Sequence, residues 1–230
     1  GNNTAIGLNA LTTLTSGSAN TAIGKDALEA NSTGSDNVAV GKDSLTTNST
    51  GSSNVGVGQN ALHTNSTASN NTAVGNSALF ANQTGASNVA IGANALDANT
   101  TADNNVAIGL NALGANTTGA NNIAIGQGAM ATATTESNCV AIGNSAATVS
   151  AGGSNFVAVG REALTSQTSG DDNVAIGLNA GANITSGSSN TFVGTSAASQ
   201  QTTASNNTAV GHSALNANQS GASCTAVGRE

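Results

Sequence analysis

The chain has no proline, no tryptophan and no tyrosine, and only three phenylalanines among its 230 residues. Aromatic side chains supply the largest single areas that a core can bury, so an ordinary globular core is excluded. Charge is equally scarce. Charged residues make up 7% of the chain, against about 25% in typical domains. Four Lys and Arg face eleven Asp and Glu, for a net charge of −7. No basic patch can be assembled from so few cations, which argues against a nucleic-acid partner; the mild acidity serves solubility. No apolar run approaches the roughly 18 residues that span a membrane, so this segment is not expected to insert into one. No stretch of residues 1–230 reads as a secretory signal. The chain starts and stops within a repeat, however, so residues 1–230 are expected to be one repeat domain cut from a longer fibrous protein. A disordered chain of this polarity would carry more proline and more net charge.

What the sequence does contain is a repeat. A glycine preceded by Ile or Val stands at every seventeenth position from Gly7 to Gly228, fourteen times without insertion or deletion. Internal repeats of this kind decide architecture before any local reading. With that glycine as column 0, column −1 is Ile or Val throughout and column −3 is always β-branched. Column −2 is Ala except at Gly56 and Phe192, and column −4 is Asn in eleven copies. Column +3 is Ala except at Ser44, and column +4 is Leu in nine of thirteen copies, with Met130, Ala147, Gly181 and Ala198 in the others. A polar turn rich in Asn, Ser, Thr and Gly fills +7 to +12.

Alternation of β-branched residues across −4 to −1 is the period-two pattern of a strand. The glycine permits a sharp corner, and the Asn/Gly-rich stretch makes a second one. A short extended piece is expected between them, near +3 to +6. The sum is an all-β parallel β-solenoid, or β-roll, of about 13.5 coils, stacked at the strand spacing of about 4.8 Å. Equivalent residues then form ladders: Ile91 on Ile108 and Ile125, Leu96 on Leu113, Asn88 on Asn105, Gly92 on Gly109.

Columns −3 and −1 face one way and −2 the other. The bulky −1 side chains are expected to line the interior opposite Leu at +4. The Ala column would then point outward, and its restriction to Ala suggests a closely packed neighbour. Ala90, Ala107, Ala124 and Phe192 are accordingly the expected self-association face of a symmetric homo-oligomer. Phe192 would fill an axial gap there, or mark local tolerance among the variable coils from 130 to 200. The alternative places Ala in a cramped interior and column −1 against the neighbour. Phe156 stands at column −4, and Phe80 at +5 is expected to be exposed. None of the three resembles an aromatic binding platform.

The sequence resembles the head repeats of YadA-like trimeric autotransporter adhesins. The likeness rests on N-V-A-I-G followed by A-L, clearest at Asn88-Val89-Ala90-Ile91-Gly92 and Asn105-Val106-Ala107-Ile108-Gly109, with T-G-x-x-N before the next copy. It covers the whole chain. It implies a left-handed, trimeric β-roll on a cell surface, with adhesion as the activity. The family's coils are usually shorter. Longer N-T-A-V-G-x-x-A-L repeats are similar to those of bacteriophage and other viral tail fibres.

Little else in the sequence carries chemistry. His63 and His212 lie nine coils apart and cannot share a metal. Cys139 and Cys224 both replace Asn at column −4, five coils apart. At about 4.8 Å per coil they stand about 24 Å apart, and a disulfide needs Cα atoms within about 7 Å. Each is a small buried thiol, or meets its own copy across an oligomer axis. The pairs Lys25-Asp26, Lys42-Asp43, Arg161-Glu162 and Arg229-Glu230 occupy +1 and +2. They are expected to be surface residues linked diagonally between stacked coils. Asp171-Asp172 is a weak Ca²⁺ candidate, since such cages need six or more oxygens. Column +7 holds Asn31, Asn48, Asn65, Asn82, Asn99, Asn116 and Asn218, most of them in N-x-S/T sequons, which are read as chance matches. No catalytic Ser/His/Asp set, carboxylate pair or phosphate loop is present, so no enzyme, metal or cofactor is expected.

Three functions compete. One is an extracellular adhesive or structural fibre segment, trimeric, with its receptor unspecified. The second is a viral tail-fibre shaft that supports receptor binding. The third is an ice-binding solenoid, which needs a flat Thr array; Thr recurs near +8 to +10 but mixes with Ser and Gln in a turn.

Overall fold

A computed structural model describes residues 1–229; Glu230, and with it the expected Arg229-Glu230 pair, lies outside the described residues. Every coil contributes one three-residue parallel strand. In the first of two compact units, residues 1–118, these are β1 Thr4–Ile6, β2 Thr21–Ile23, β3 Val38–Val40, β4 Val55–Val57, β5 Thr72–Val74, β6 Val89–Ile91 and β7 Val106–Ile108. In the second, from Gly119 onward, they are β8 Ile123–Ile125, β9 Val140–Ile142, β10 Val157–Val159, β11 Val174–Ile176, β12 Thr191–Val193, β13 Thr208–Val210 and β14 Thr225–Val227. Within each unit every strand pairs with the next in strict 17-residue register, as in Ala90↔Ala107 and Ile91↔Ile108 and Ala124↔Ala141. The fold is an all-β parallel β-solenoid built from stacked coils.

The strands are only the most regular part of a ladder that runs around the whole coil. The N–H of Gly24 donates to Ile6 C=O, that of Asp26 to Leu8 C=O, that of Leu28 to Ser44 C=O and that of Ser32 to Ser49 C=O. Backbone groups at strand, corner and turn alike are thus satisfied by the neighbouring coil, which is how a chain so poor in large apolar residues orders its backbone.

The expected extended piece at +3 to +6 is a turn instead. Three columns adopt left-handed backbone: +2 (Asn94, φ 51°), +4 (Leu96, φ 54°) and +12 (Asn104, φ 59°). Asn, Asp and Ser dominate +2 and +12, and Asn and Asp tolerate this region. Leu does not favour it, at roughly 1–2 kcal/mol per residue. The +4 leucines adopt it because the same bend turns the side chain inward and aims its N–H at the adjacent coil. At column 0 the requirement is absolute. Gly92 has φ 130°, and a Cβ there would lie 2.6 Å from Gly109 O.

Six columns face the interior: −4, −2, +3, +4, +7 and +10. The core is therefore Ala against Ala, roofed by Leu and flanked by two files of buried Asn. Leu96 and Leu113 are fully buried, as are Asn88 and Asn105.

Candidate functional site: two exposed β-branched files

The strand alternation runs opposite to the expected direction. Ala90, Ala107 and Ala124 are fully buried, and so is Phe192. None of them can serve as a self-association face: column −2 faces the interior and column −1 faces outward. Ile91 pairs with Ile108 in the first unit and Ile125 with Ile142 in the second, but on the outer surface: Ile91 is 39% exposed, and Ile108 and Ile125 are half-buried.

The reason is room. A coil with one short strand and two left-handed turns encloses too little space for Ile at −1. The exceptions show how tightly −2 meets the opposite wall. Ser44 is the one non-Ala residue at +3, and it shares a coil with Gly56, where a Cβ would lie 2.6 Å from Ser44 Oγ. The Ser44 hydroxyl donates to Gly56 C=O at 2.9 Å. Phe192 likewise shares a coil with Gly181, the one glycine at +4, where a Cβ would lie 2.7 Å from the Phe192 ring. Phe192 fills an internal gap and has no place on an oligomer axis.

Each unit consequently presents two parallel files of β-branched side chains, at −3 and −1, on successive rungs. Ile142 and Ile176 continue the outer file in the second unit at 37% and 41% exposure. Leu8, Leu110 and Leu178 at column +1 are also exposed and carry the apolar surface around the glycine corner. Sequence reasoning missed this extension, although Leu at a position held mostly by Lys, Arg, Gln and Asn was a visible signal. A flat apolar file with no partner is the kind of surface that marks an interaction site.

The remaining side chains settle as local structure. Lys25 and Lys42 pair at 2.9 Å with the acid next to them in their own coil, Asp26 and Asp43, so these contacts are not diagonal links between coils. Arg161 and Glu162 stand 3.8 Å apart in the same way. The hydrogen bond to Lys25 holds the Asp26 carboxyl below its ordinary value, helped by Asn9, and the reciprocal bond raises Lys25. His63 stacks parallel on Phe80, with ring centroids 5.1 Å apart, so Phe80 is half-buried. Cys139 is buried, and burial pushes its thiol up to about 11. Cys224 is half-buried, five rungs further along the second unit. Asp171 accepts the Ser154 N–H at 2.8 Å. Among the described residues no three His, Cys, Asp or Glu gather as a metal site, and no helix is long and apolar enough to cross a membrane.

One feature of the second unit had no counterpart in the sequence reading. Glu136 replaces the Gly or Ala of column +10 and is 1% exposed. Its carboxylate accepts the N–H groups of Thr134 (2.6 Å), Thr135 (2.8 Å) and Gly152 (2.5 Å). The signal was present: the run of Asn in column +7 from Asn31 to Asn116 stops at Ala133 and Ser150, which stand on either side of Glu136.

Comparison with family models, curated proteins and solved structures finds no match to this chain.

Proposed function

We propose that this chain is a non-enzymatic fibre segment, carried outside the cell or on a virion, in which three copies pack through the −3 and −1 files. The observation behind the reading is the pair of outward-facing β-branched files on successive rungs, the −3 file mostly half-buried and the −1 file half-buried to exposed. A second copy carries the same rung spacing, so Ile and Val of one copy can seat between those of the next without drifting out of register. A partner built on another repeat would lose that register. The number three, the surface location and the adhesive role come from the resemblance to trimeric autotransporter heads. A viral tail-fibre shaft would use the same packing. Sedimentation equilibrium tests the assembly: the chain is expected as a trimer, and Ile91→Glu with Ile108→Glu as a monomer with unchanged β signal. A wild-type monomer at high concentration overturns the reading.

One observation favours ice binding as a second reading. Thr33, Thr50, Thr67, Thr84, Thr101 and Thr118 form an exposed file at column +9 of the first unit. Thermal hysteresis measured on the intact chain, and its loss on Thr→Ala substitution in that file, separates this reading from the fibre.

A further inference from the structure

The seven sequons of column +7 acquire a meaning from the fold that does not rest on the fibre reading. Asn31, Asn48, Asn65, Asn82, Asn99 and Asn116 are fully buried, and each is followed two residues later by Thr. From Asn48 to Asn99 both protons of the side-chain amide are in use. Asn48 Nδ2 donates to Asn31 Oδ1 at 3.0 Å and to Gly51 C=O at 2.9 Å. Asn65 Nδ2 donates to Asn48 Oδ1 and Ala68 C=O, Asn82 Nδ2 to Asn65 Oδ1 and Gly85 C=O, and Asn99 Nδ2 to Asn82 Oδ1 and Ala102 C=O.

We propose that N-glycosylation at column +7 and the solenoid exclude each other, so that this fold forms only where the chain does not meet an oligosaccharyltransferase. In that reaction the amide nitrogen attacks the anomeric carbon of a lipid-diphosphate-linked oligosaccharide. An N–C bond forms, the C–O bond to the diphosphate breaks, and one amide proton leaves with the lipid diphosphate. One of the two buried hydrogen bonds is then lost at each modified rung, and a sugar must occupy space inside the coil where no solvent reaches. The transferase acts on the extended chain, which presents every sequon before coils close. The folded chain presents none of the six.

The same sequence contains its own control. Asn2, Asn70, Asn183 and Asn206 also stand in N-x-T sequons, and all four are exposed. Glycans there leave the interior untouched. The +9 threonines that complete the buried sequons are exposed, and none of the six makes a side-chain hydrogen bond among the described residues. Thr→Ala at 33, 50, 67, 84, 101 and 118 therefore removes the buried sequons without touching the Asn file.

The test compares two expression routes. Made in the bacterial cytoplasm, both the wild type and the six-fold Thr→Ala variant are expected to be β-rich and protease-resistant. Directed through a eukaryotic secretory pathway, the wild type is expected to carry glycans at column +7, mapped by mass spectrometry, and to lose its protease-resistant form. The six-fold variant is expected to emerge folded, with glycans confined to the exposed sequons and to Asn218, the half-buried seventh sequon of column +7. Blocking synthesis of the lipid-linked oligosaccharide should rescue the wild type, and this arm holds even if the variant folds poorly. Folded wild type bearing glycans at Asn48 or Asn65 overturns the proposal. So does folded secreted wild type with those sites unmodified, or failure of the blocked cells to rescue it. Chain count enters none of these outcomes, so they stand or fall apart from the fibre reading.

Discussion

The two units are built from the same coil but satisfy their interiors differently. In the first, column +7 is Asn from Asn31 to Asn116, and successive amides join rung to rung at 2.8–3.1 Å. A parallel file runs through column −4, where the N–H of Asn37 donates to Asn20 Oδ1 and that of Asn54 to Asn37 Oδ1. In the second unit, column +7 reads Ala133, Ser150, Gln167, Ile184, Gln201 and Asn218. Column −4 is interrupted there by Cys139 and Phe156. Polar atoms are left buried and unpaired at Ser150 Oγ and Gln201 Oε1. The missing amides are replaced piecemeal, by the Glu136 carboxylate in one coil and by Gln167 Nε2 donating to Gly170 C=O in another. The backbone ladder is common to both units. Side-chain ladders tolerate breaks because each rung is also held by backbone bonds to its neighbours.

The largest expected effect is one that should not distinguish the units. Gly92→Ala and Gly143→Ala each place a Cβ where φ is 130° or 140°, and 2.6 or 2.5 Å from the next glycine's carbonyl oxygen. Each is expected to cost more than about 3 kcal/mol, read as a fall in the urea midpoint. A large difference between the two would break the claim that column 0 is shared.

The Asn files should separate the units. Asn82→Ala removes a donor from Asn65 Oδ1 and Gly85 C=O and an acceptor from Asn99. Leaving buried partners unmet costs about 1–3 kcal/mol each, so about 2–4 kcal/mol is expected after relaxation. Ser150→Ala removes a hydroxyl that has no partner and is expected to be neutral or slightly stabilising. Hydrogen exchange, resolved by coil, reads both, because repeat arrays need not unfold in a single step. Equal effects would remove the distinction between a continuous and a broken file.

Glu136→Ala should cost the second unit about 2 kcal/mol, since three N–H groups lose a charged acceptor. Restoring column +7 with Ala133→Asn in that background should recover part of it. A thiol reagent gives a sharper local readout. At pH 8 Cys224 is expected to react in the native state while Cys139, buried and with its thiol pushed up to about 11, reacts only on unfolding. Fast labelling of Cys139 would mean that the second unit opens around β9.

The smallest effect lies on the surface of the first unit. Asp26 titrates lower in the folded chain than in the unfolded one. Its contribution is therefore present above the ordinary carboxylate range and disappears as pH falls through the depressed value. Lys25 is raised, so its contribution is lost only above the ordinary lysine range. The pair is at the surface, with Lys25 exposed and Asp26 half-buried, and Lys25→Gln is expected to leave the thermal midpoint unchanged at neutral pH.

Much of this was legible in residue order. The interval of 17, kept without a slip, required coils of equal path, and the alternation at −3, −2 and −1 required a strand. Leu96 and Leu113 read correctly as interior, and Gly92 and Gly109 as corners on adjacent rungs. The left-handed columns +2 and +12 carried their signal in Asn, Asp and Ser. Column +4 did not, because Leu avoids that conformation and adopts it only under the pull of the neighbouring coil.

The direction of the strand was beyond sequence reasoning. Alternation names two faces and is silent on which is inside, because a strand turned over keeps the same period. The chain by itself determined the stack, its register and its files. Only the closed coil decided that Ala goes in and Ile goes out, because the space between one short strand and two tight turns admits a methyl group and not a butyl one. The same closure brought Phe192 to Gly181 and Ser44 to Gly56, pairs that share a coil but not a stretch of sequence.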